Sequence, residues 1–120
     1  MPRARVVFNP IAGRHPARRR RQLDQLCRAL ERRGWAFTDE NADVLLVCGG
    51  DGTLHGVLQE HLRLDPGARP VLALAPPLGT ANVLARALGV PRRPEPAAAW
   101  LQRAWSAGPR QLPVGVAQSP

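Results

Sequence analysis

The sequence predicts an α/β fold built on a parallel sheet, and three observations carry the prediction. Two apolar runs, Val44-Leu45-Leu46-Val47-Cys48 and Val71-Leu72-Ala73-Leu74-Ala75, have the unbroken hydrophobicity of strands covered on both faces. Each run stops in a turn containing glycine and a hydroxyl residue, Gly49-Gly50-Asp51-Gly52-Thr53 and Pro76-Pro77-Leu78-Gly79-Thr80. Helical spacing follows each turn, so strands and helices alternate. Such turns lie between the carboxyl end of a strand and the amino end of a helix, where open α/β sheets bind ligands.

In chain order, residues 5–8 read as a first strand, and Asn9-Pro10-Ile11-Ala12-Gly13-Arg14 turns the chain out of it, with Pro10 forcing the turn. Asn9 stands where a loop at the carboxyl end of a strand meets a ligand, and is equally a turn-forming residue. Spacing over 16–33 is helical, with Leu23, Leu26, Cys27 and Leu30 as one apolar stripe and Gly34 to end it. The run Arg18-Arg19-Arg20-Arg21 reads as a solvated helix face within reach of phosphates. Residues 35–43 are short and mostly polar. Leu54, Val57, Leu58, His61 and Leu62 form the apolar face of the next helix, on which His55 and His61 read as surface or satisfied side chains. Asp65-Pro66-Gly67 is a turn. After the apolar run at 71–75 and its turn, a helix over 81–88 puts Asn82 and Arg86 on one face, at the crevice or at cap and solvent. Residues 91–96 read as a rigid linker and 97–107 as a helix with Trp100 and Trp105 for packing. Gly108-Pro109 breaks it, and 111–117 begins as a strand.

The chain has 120 residues, the length of one domain with a modest core. A hydrophobic content of 44% and a charged content of 22% are ordinary for a globular protein. A formal charge of +8 suits anionic partners: nucleotides, nucleic acid or acidic lipid surfaces. All 17 basic residues are arginine, a bias that weakens any functional reading of their number. Cys27 and Cys48 fall on an apolar helix stripe and in a buried strand, so each reads as a small core residue. Spacings typical of metal ligands are missing from the sequence, no run is long enough to span a membrane, and the amino terminus lacks a signal-peptide core. The expectation is a cytoplasmic protein, free or peripheral to a membrane.

The glycine turns carry the chemistry. Glycine lets a ligand approach the backbone closely, and amides at a helix start favour an anion. Asp51 within such a site calls for a divalent cation or a reacting hydroxyl, and Thr53 offers a hydroxyl to a phosphate or caps the helix. A Walker loop is excluded because the chain has no lysine, and the dinucleotide fingerprint because His55 stands where its last glycine belongs. A tight strand-to-helix turn without a ligand is the plain alternative. Two such turns on neighbouring parallel strands face one crevice, which strengthens the ligand reading.

Taken together, Phe8-Asn9-Pro10-Ile11-Ala12-Gly13-Arg14, Gly49-Gly50-Asp51-Gly52-Thr53 and Pro77-Leu78-Gly79-Thr80-Ala81-Asn82 resemble, in order, the three motifs of the diacylglycerol kinase catalytic-domain family, which includes sphingosine kinases and bacterial lipid kinases. The resemblance runs from Arg5 to about Val116. It implies a three-layer α/β nucleotide-binding domain related to that of NAD kinases, with ATP and Mg²⁺ as cofactors. It implies transfer of the γ-phosphoryl to a lipid hydroxyl, diacylglycerol-like or sphingoid, at a membrane surface. Carried over, Gly49, Gly50, Asp51, Gly52 and Thr53 cradle the ATP phosphates, and Leu54 and His55 complete the loop. Gly79, Thr80 and Asn82 reach the nucleotide from the third motif, and Asn9 lines the same cleft. Asp51 is the catalytic candidate, as a metal-linked group or proton acceptor; the resemblance identifies no metal ligand. Such a cradle suits phosphoryl transfer, which asks a protein mainly for positioning and charge neutralisation.

The chain departs from the family pattern as well. Ala12 replaces a serine, Arg14 a lysine, His55 an asparagine and Val83 a frequent aspartate. Between Gly34 and Asn41 the family has a strand, a threonine-rich turn and a helix, about 20 residues or more within a βα unit of about 30. Here residues 35–40 must serve, enough for a loop. The expectation is therefore a domain over 1–117, with a tail at 118–120, that lacks one strand–helix unit and the family's carboxyl-terminal β-sandwich. Apolar sheet surface exposed by the deletion favours partnering, including with a second copy. The competing readings are a non-catalytic basic module on anionic lipid or nucleic acid, and an inactive gene fragment. Specific nucleic-acid recognition is not expected, because the chain has no tyrosine, two phenylalanines and no recognition motif.

Overall fold

The structure, a computed structural model, describes residues 2–8, 16–49, 51–75 and 87–108, with the side chains of Pro16 and Asp51 outside the described set. Four strands form one parallel sheet: β1 (Arg3–Phe8), β2 (Ala36–Phe37), β3 (Val44–Cys48) and β4 (Val71–Leu74), in the order β2-β1-β3-β4. The helices are α1 (Pro16–Arg32), α2 (Asp51–Arg63) and α3 (Pro94–Ala107). A short 3-10 turn at Pro66–Ala68 leads into β4. The predicted strand at 111–117 lies outside the described residues.

Register explains the layering. Val44, Leu46 and Cys48 lie beside Ala4, Val6 and Phe8 on one face of the sheet. On that face, α1 contributes Leu23, Leu26, Ala29 and Leu30, and α3 contributes Ala97, Ala98 and Leu101, to a continuous core with Trp35. Trp35 is anchored from both sides: its Nε1 donates to Gln102 Oε1 at 2.6 Å, and its ring meets Trp105 edge-on at 6.3 Å. Glu95 of α3 pairs with Arg32 at the end of α1. The helix α3 begins at Pro94, inside the segment expected as linker, because proline suits the first turn of a helix. On the opposite face Val47 and Leu74 pack with Leu54, Val57 and Leu58 of α2 and with Leu88 and Val90.

The segment after α1 differs in detail from its expectation as pure loop. Gly34, at φ 96°, ends the helix, and Ala36–Phe37 then pairs with Arg3 and Ala4 at the sheet edge. The segment expected as a loop thus holds a two-residue strand. Phe37 and Val44 are both level with Ala4, so the return from β2 to β3 crosses β1 sideways and needs no climb. Residues 38–43 span that distance, held by the Thr38 amide on the Ala4 carbonyl (2.9 Å) and the Asp43 amide on the Arg3 carbonyl (2.7 Å). A longer strand would have required a helix to bring the chain back.

Candidate functional site

β3 and β4 are parallel neighbours, with Val47 beside Leu74 and the Ala75 amide donating to the Val47 carbonyl at 2.9 Å. Their carboxyl ends therefore stand side by side, and the two turns expected to share a crevice leave adjacent strands at the same edge of the sheet. β1 ends at the same level, with Phe8 beside Cys48. Of the sequence-predicted residues, Gly49, Gly52, Thr53, Leu54 and His55 are described in full, and Asp51 by its backbone. Asn9, Gly50, Gly79, Thr80 and Asn82 lie outside the described residues.

Gly49 adopts φ +152°, and a Cβ built on it would lie 2.7 Å from Thr53 Oγ1. The Thr53 side chain folds back onto the Gly49 backbone and closes the turn from inside, which only glycine permits. α2 starts at Asp51, so the turn passes directly into a helix whose first amides face outward from the sheet edge. Gly52 is exposed, and a Cβ there would meet nothing within 4 Å. The turn is thus tight at its base, at Gly49, and the first turn of α2 is open at Gly52.

Leu54 is 7% exposed and packs with Val47, Leu74 and Val90. Its side chain is committed to the core, leaving its backbone to the loop. His55 is exposed on α2. His61 donates from Nε2 to the Pro70 carbonyl at 2.8 Å, the satisfied role read from the sequence. Among the described residues no three His, Cys, Asp or Glu side chains gather as a metal site. A Mg²⁺ ion held with a nucleotide takes one or two carboxylates beside the phosphates, and the side chain of Asp51, the carboxylate of the turn, lies outside the described residues.

Arg19 was not singled out within the arginine run, and its position corrects the reading of that run as a solvated face. It is 6% exposed, and its guanidinium stands over the Phe8 ring, Cζ to centroid 5.8 Å, with Arg20 at 5.7 Å. Two cations are therefore stacked on the last residue of β1, one strand away from the glycine turn. Arg20 also pairs with Asp24 at 3.6 Å, whereas Arg18 and Arg21 are exposed as expected. The signal was available: residues 19, 23, 26 and 30 fall on one helical stripe, and the last three are leucines.

Below the turn, on the α2 face of the sheet, lies an open groove of about 640 Å³. Gly52 and Thr53 form its upper end, Val7 and Leu45 its floor, and Leu64 and Pro70 its lower end. It lies beside the short β2–β3 connection, whose Asp39, Asn41 and Ala42 make one wall.

Comparisons with known proteins agree with this geometry. The model of the diacylglycerol kinase catalytic domain matches residues 3–108. A diacylglycerol kinase of Bacillus subtilis (strain 168) is 32% identical over 110 residues, covering 77% of this chain and 35% of that protein. A protein of Stenotrophomonas maltophilia (strain K279a), named a probable lipid kinase YegS-like, is 43% identical over 68 residues, covering 55% of this chain and 22% of that protein. The crystal structure of a diacylglycerol kinase from Bacillus anthracis str. Sterne superposes with a TM-score of 0.61 at 26% identity, covering 84% of this chain and 39% of that one. The chain spans about a third of the length of the diacylglycerol kinases of Bacillus subtilis and Staphylococcus aureus that it matches.

Proposed function

The chain belongs to the diacylglycerol kinase catalytic-domain family, and from that premise we propose that it is the ATP-binding part of a lipid kinase, holding the triphosphate at Gly49–Thr53. ATP, when bound, supplies the γ-phosphoryl that passes to a lipid hydroxyl, diacylglycerol-like or sphingoid, at a membrane surface. The observation that carries the reading is the alignment of β3 and β4, whose adjacent ends send two glycine turns from one edge of the sheet. The amides of the first turn and of the α2 start neutralise phosphate charge. Thr53 keeps the base of the turn closed, and Arg19 and Arg20 add positive charge beside it. Asp51 stands at the helix start as the group that orients a metal–phosphate unit or accepts a proton. Asn9, Gly79, Thr80 and Asn82 complete the cleft from neighbouring strand ends.

On this reading residues 1–117 form a shortened catalytic domain, without the helix of one βα unit. Binding of ATP with Mg²⁺ is then weak, and turnover by the isolated chain negligible. Titration calorimetry with ATP and Mg²⁺ tests it on the wild type and on Asp51→Ala and Gly50→Ala. Weak binding lost in both variants supports the site. Binding that neither change alters overturns it.

A further inference from the structure

The arginines are placed unevenly between the two layers that cover the sheet. α1 carries six arginines and two carboxylates. α2, on the opposite face, carries one arginine and two carboxylates, and the β2–β3 connection beside it adds Asp39, Glu40 and Asp43 with no base. A compositional bias toward arginine raises the number everywhere and does not gather it in one layer. Within α1, Leu23, Leu26 and Leu30 face the core, and Arg18, Arg21 and Arg28 are exposed. None of these three pairs with a carboxylate among the described residues, whereas Arg20 is held by Asp24 and Arg32 by Glu95. Arg21 follows Arg18 by one turn and Arg28 lies two turns farther on, so the three form a row about 15 Å long.

This row is built for an anion from outside. No acidic residue stands in the first turn of α1, and Arg18 within it adds to the positive end of the helix dipole instead of offsetting it. The same end of α1 lies at the carboxyl edge of the sheet, because Arg19 and Arg20 stand over Phe8, the last residue of β1. The row is longer than the triphosphate of one nucleotide and runs along the outside of a helix, which suits a flat partner. We propose that the outer face of α1 docks the domain on an anionic lipid surface through Arg18, Arg21 and Arg28. This rests on the lipid-kinase reading, in which the carboxyl edge meets a bilayer. Contact through the amino half of α1 brings that edge to the surface and turns the carboxylates of the α2 layer away from it. The exposed side of α1 has no large apolar residue to insert, so the attachment is electrostatic and reversed by salt.

Vesicle sedimentation of the whole chain at low salt, without nucleotide, tests the proposal. Phosphatidylcholine vesicles containing about one third phosphatidylglycerol should bind the protein, and pure phosphatidylcholine vesicles should not. Arg18→Gln, Arg21→Gln and Arg28→Gln should each weaken binding about fivefold, and the three together about a hundredfold. Arg63→Gln, on α2, should leave binding unchanged, and thermal melts report whether each variant is folded. No binding to the mixed vesicles overturns the docking face, as does binding that the triple variant keeps or that Arg63→Gln loses equally. A duplex oligonucleotide that displaces the vesicles at equal phosphate concentration overturns the lipid assignment. With no nucleotide present, every outcome is independent of ATP binding at Gly49–Thr53, which calorimetry tests separately.

Discussion

The two faces of the sheet are built from alternate residues of the same strands, yet they end in different states. On one face Ala4, Val44 and Leu46 are fully buried under α1 and α3. On the other, Leu45 and Val7 are half-buried and Arg5 is exposed, beside a helix that covers only the β3–β4 side. The strands do not differ in hydrophobicity enough to cause this. Connection length does: the β1–β2 crossover contains a helix of 17 residues, whereas the β2–β3 crossover contains none. One face is a core and the other stays open because the β2–β3 crossover holds no helix.

The largest effect expected from this contrast is on stability. Leu46→Ala, on the closed face, should cost about 2–5 kcal/mol, since its neighbours on α1 and α3 cannot collapse into the space. Leu45→Ala, its sequence neighbour on the open face, should cost about 1 kcal/mol, the transfer of a half-buried side chain. Urea titrations of both variants check it. Equal losses would mean that the groove floor is covered in solution.

The glycine turn offers the same contrast on a smaller scale. Gly49→Ala meets both a positive φ and Thr53 Oγ1, and should cost about 1–3 kcal/mol. Gly52→Ala meets neither obstacle and should leave stability unchanged or raise it by about 0.5 kcal/mol through helix propensity. Melting curves of the two proteins separate a structural glycine from one kept open for a ligand. Smaller again is Trp35→Phe, which removes the donor to Gln102 inside the closed face and should cost about 1–2 kcal/mol. Gln102→Leu in the Trp35→Phe background should recover part of that loss, because no polar partner is then stranded.

Much of this architecture was legible in the sequence. Val44–Cys48 announced a buried parallel strand because both of its faces are apolar; the run beginning at Val71 announced a strand for the same reason, but it ends the described sheet order, with Leu74 alone of its four residues buried. Leu23, Leu26 and Leu30 gave the helix face that closes the core. β2 escaped because two residues carry no period; its pairing is decided by where Arg3 and Ala4 already lie. Arg19 escaped because a run of four like charges suggests solvent, whereas helix geometry fixes which one of the four turns inward. The groove was implied only by counting the residues between α1 and β3. Its lining, drawn from β1, β3, α2 and a loop, has no contiguous signature.

The two cysteines extend the comparison to chemistry, with no effect at neutral pH. Both belong to the closed face, Cys48 fully buried in β3 and Cys27 half-buried on α1. Burial, assisted by Asp24 and Glu31, raises the Cys27 thiol from 9.0 to about 11, and deeper burial raises Cys48 further. A thiol whose pKa is higher folded than unfolded leaves stability intact below the unfolded value. Stability is then lost as pH rises through the folded one, here between about 9 and 11 for Cys27. Iodoacetamide at pH 8 should therefore label neither cysteine in the folded protein and both in urea. Raising the pH toward 11 should bring out Cys27 first, while Cys48 stays silent until the sheet opens. Labelling of Cys48 at pH 8 without denaturant would show that β3 is exposed, and with it that the closed face does not hold.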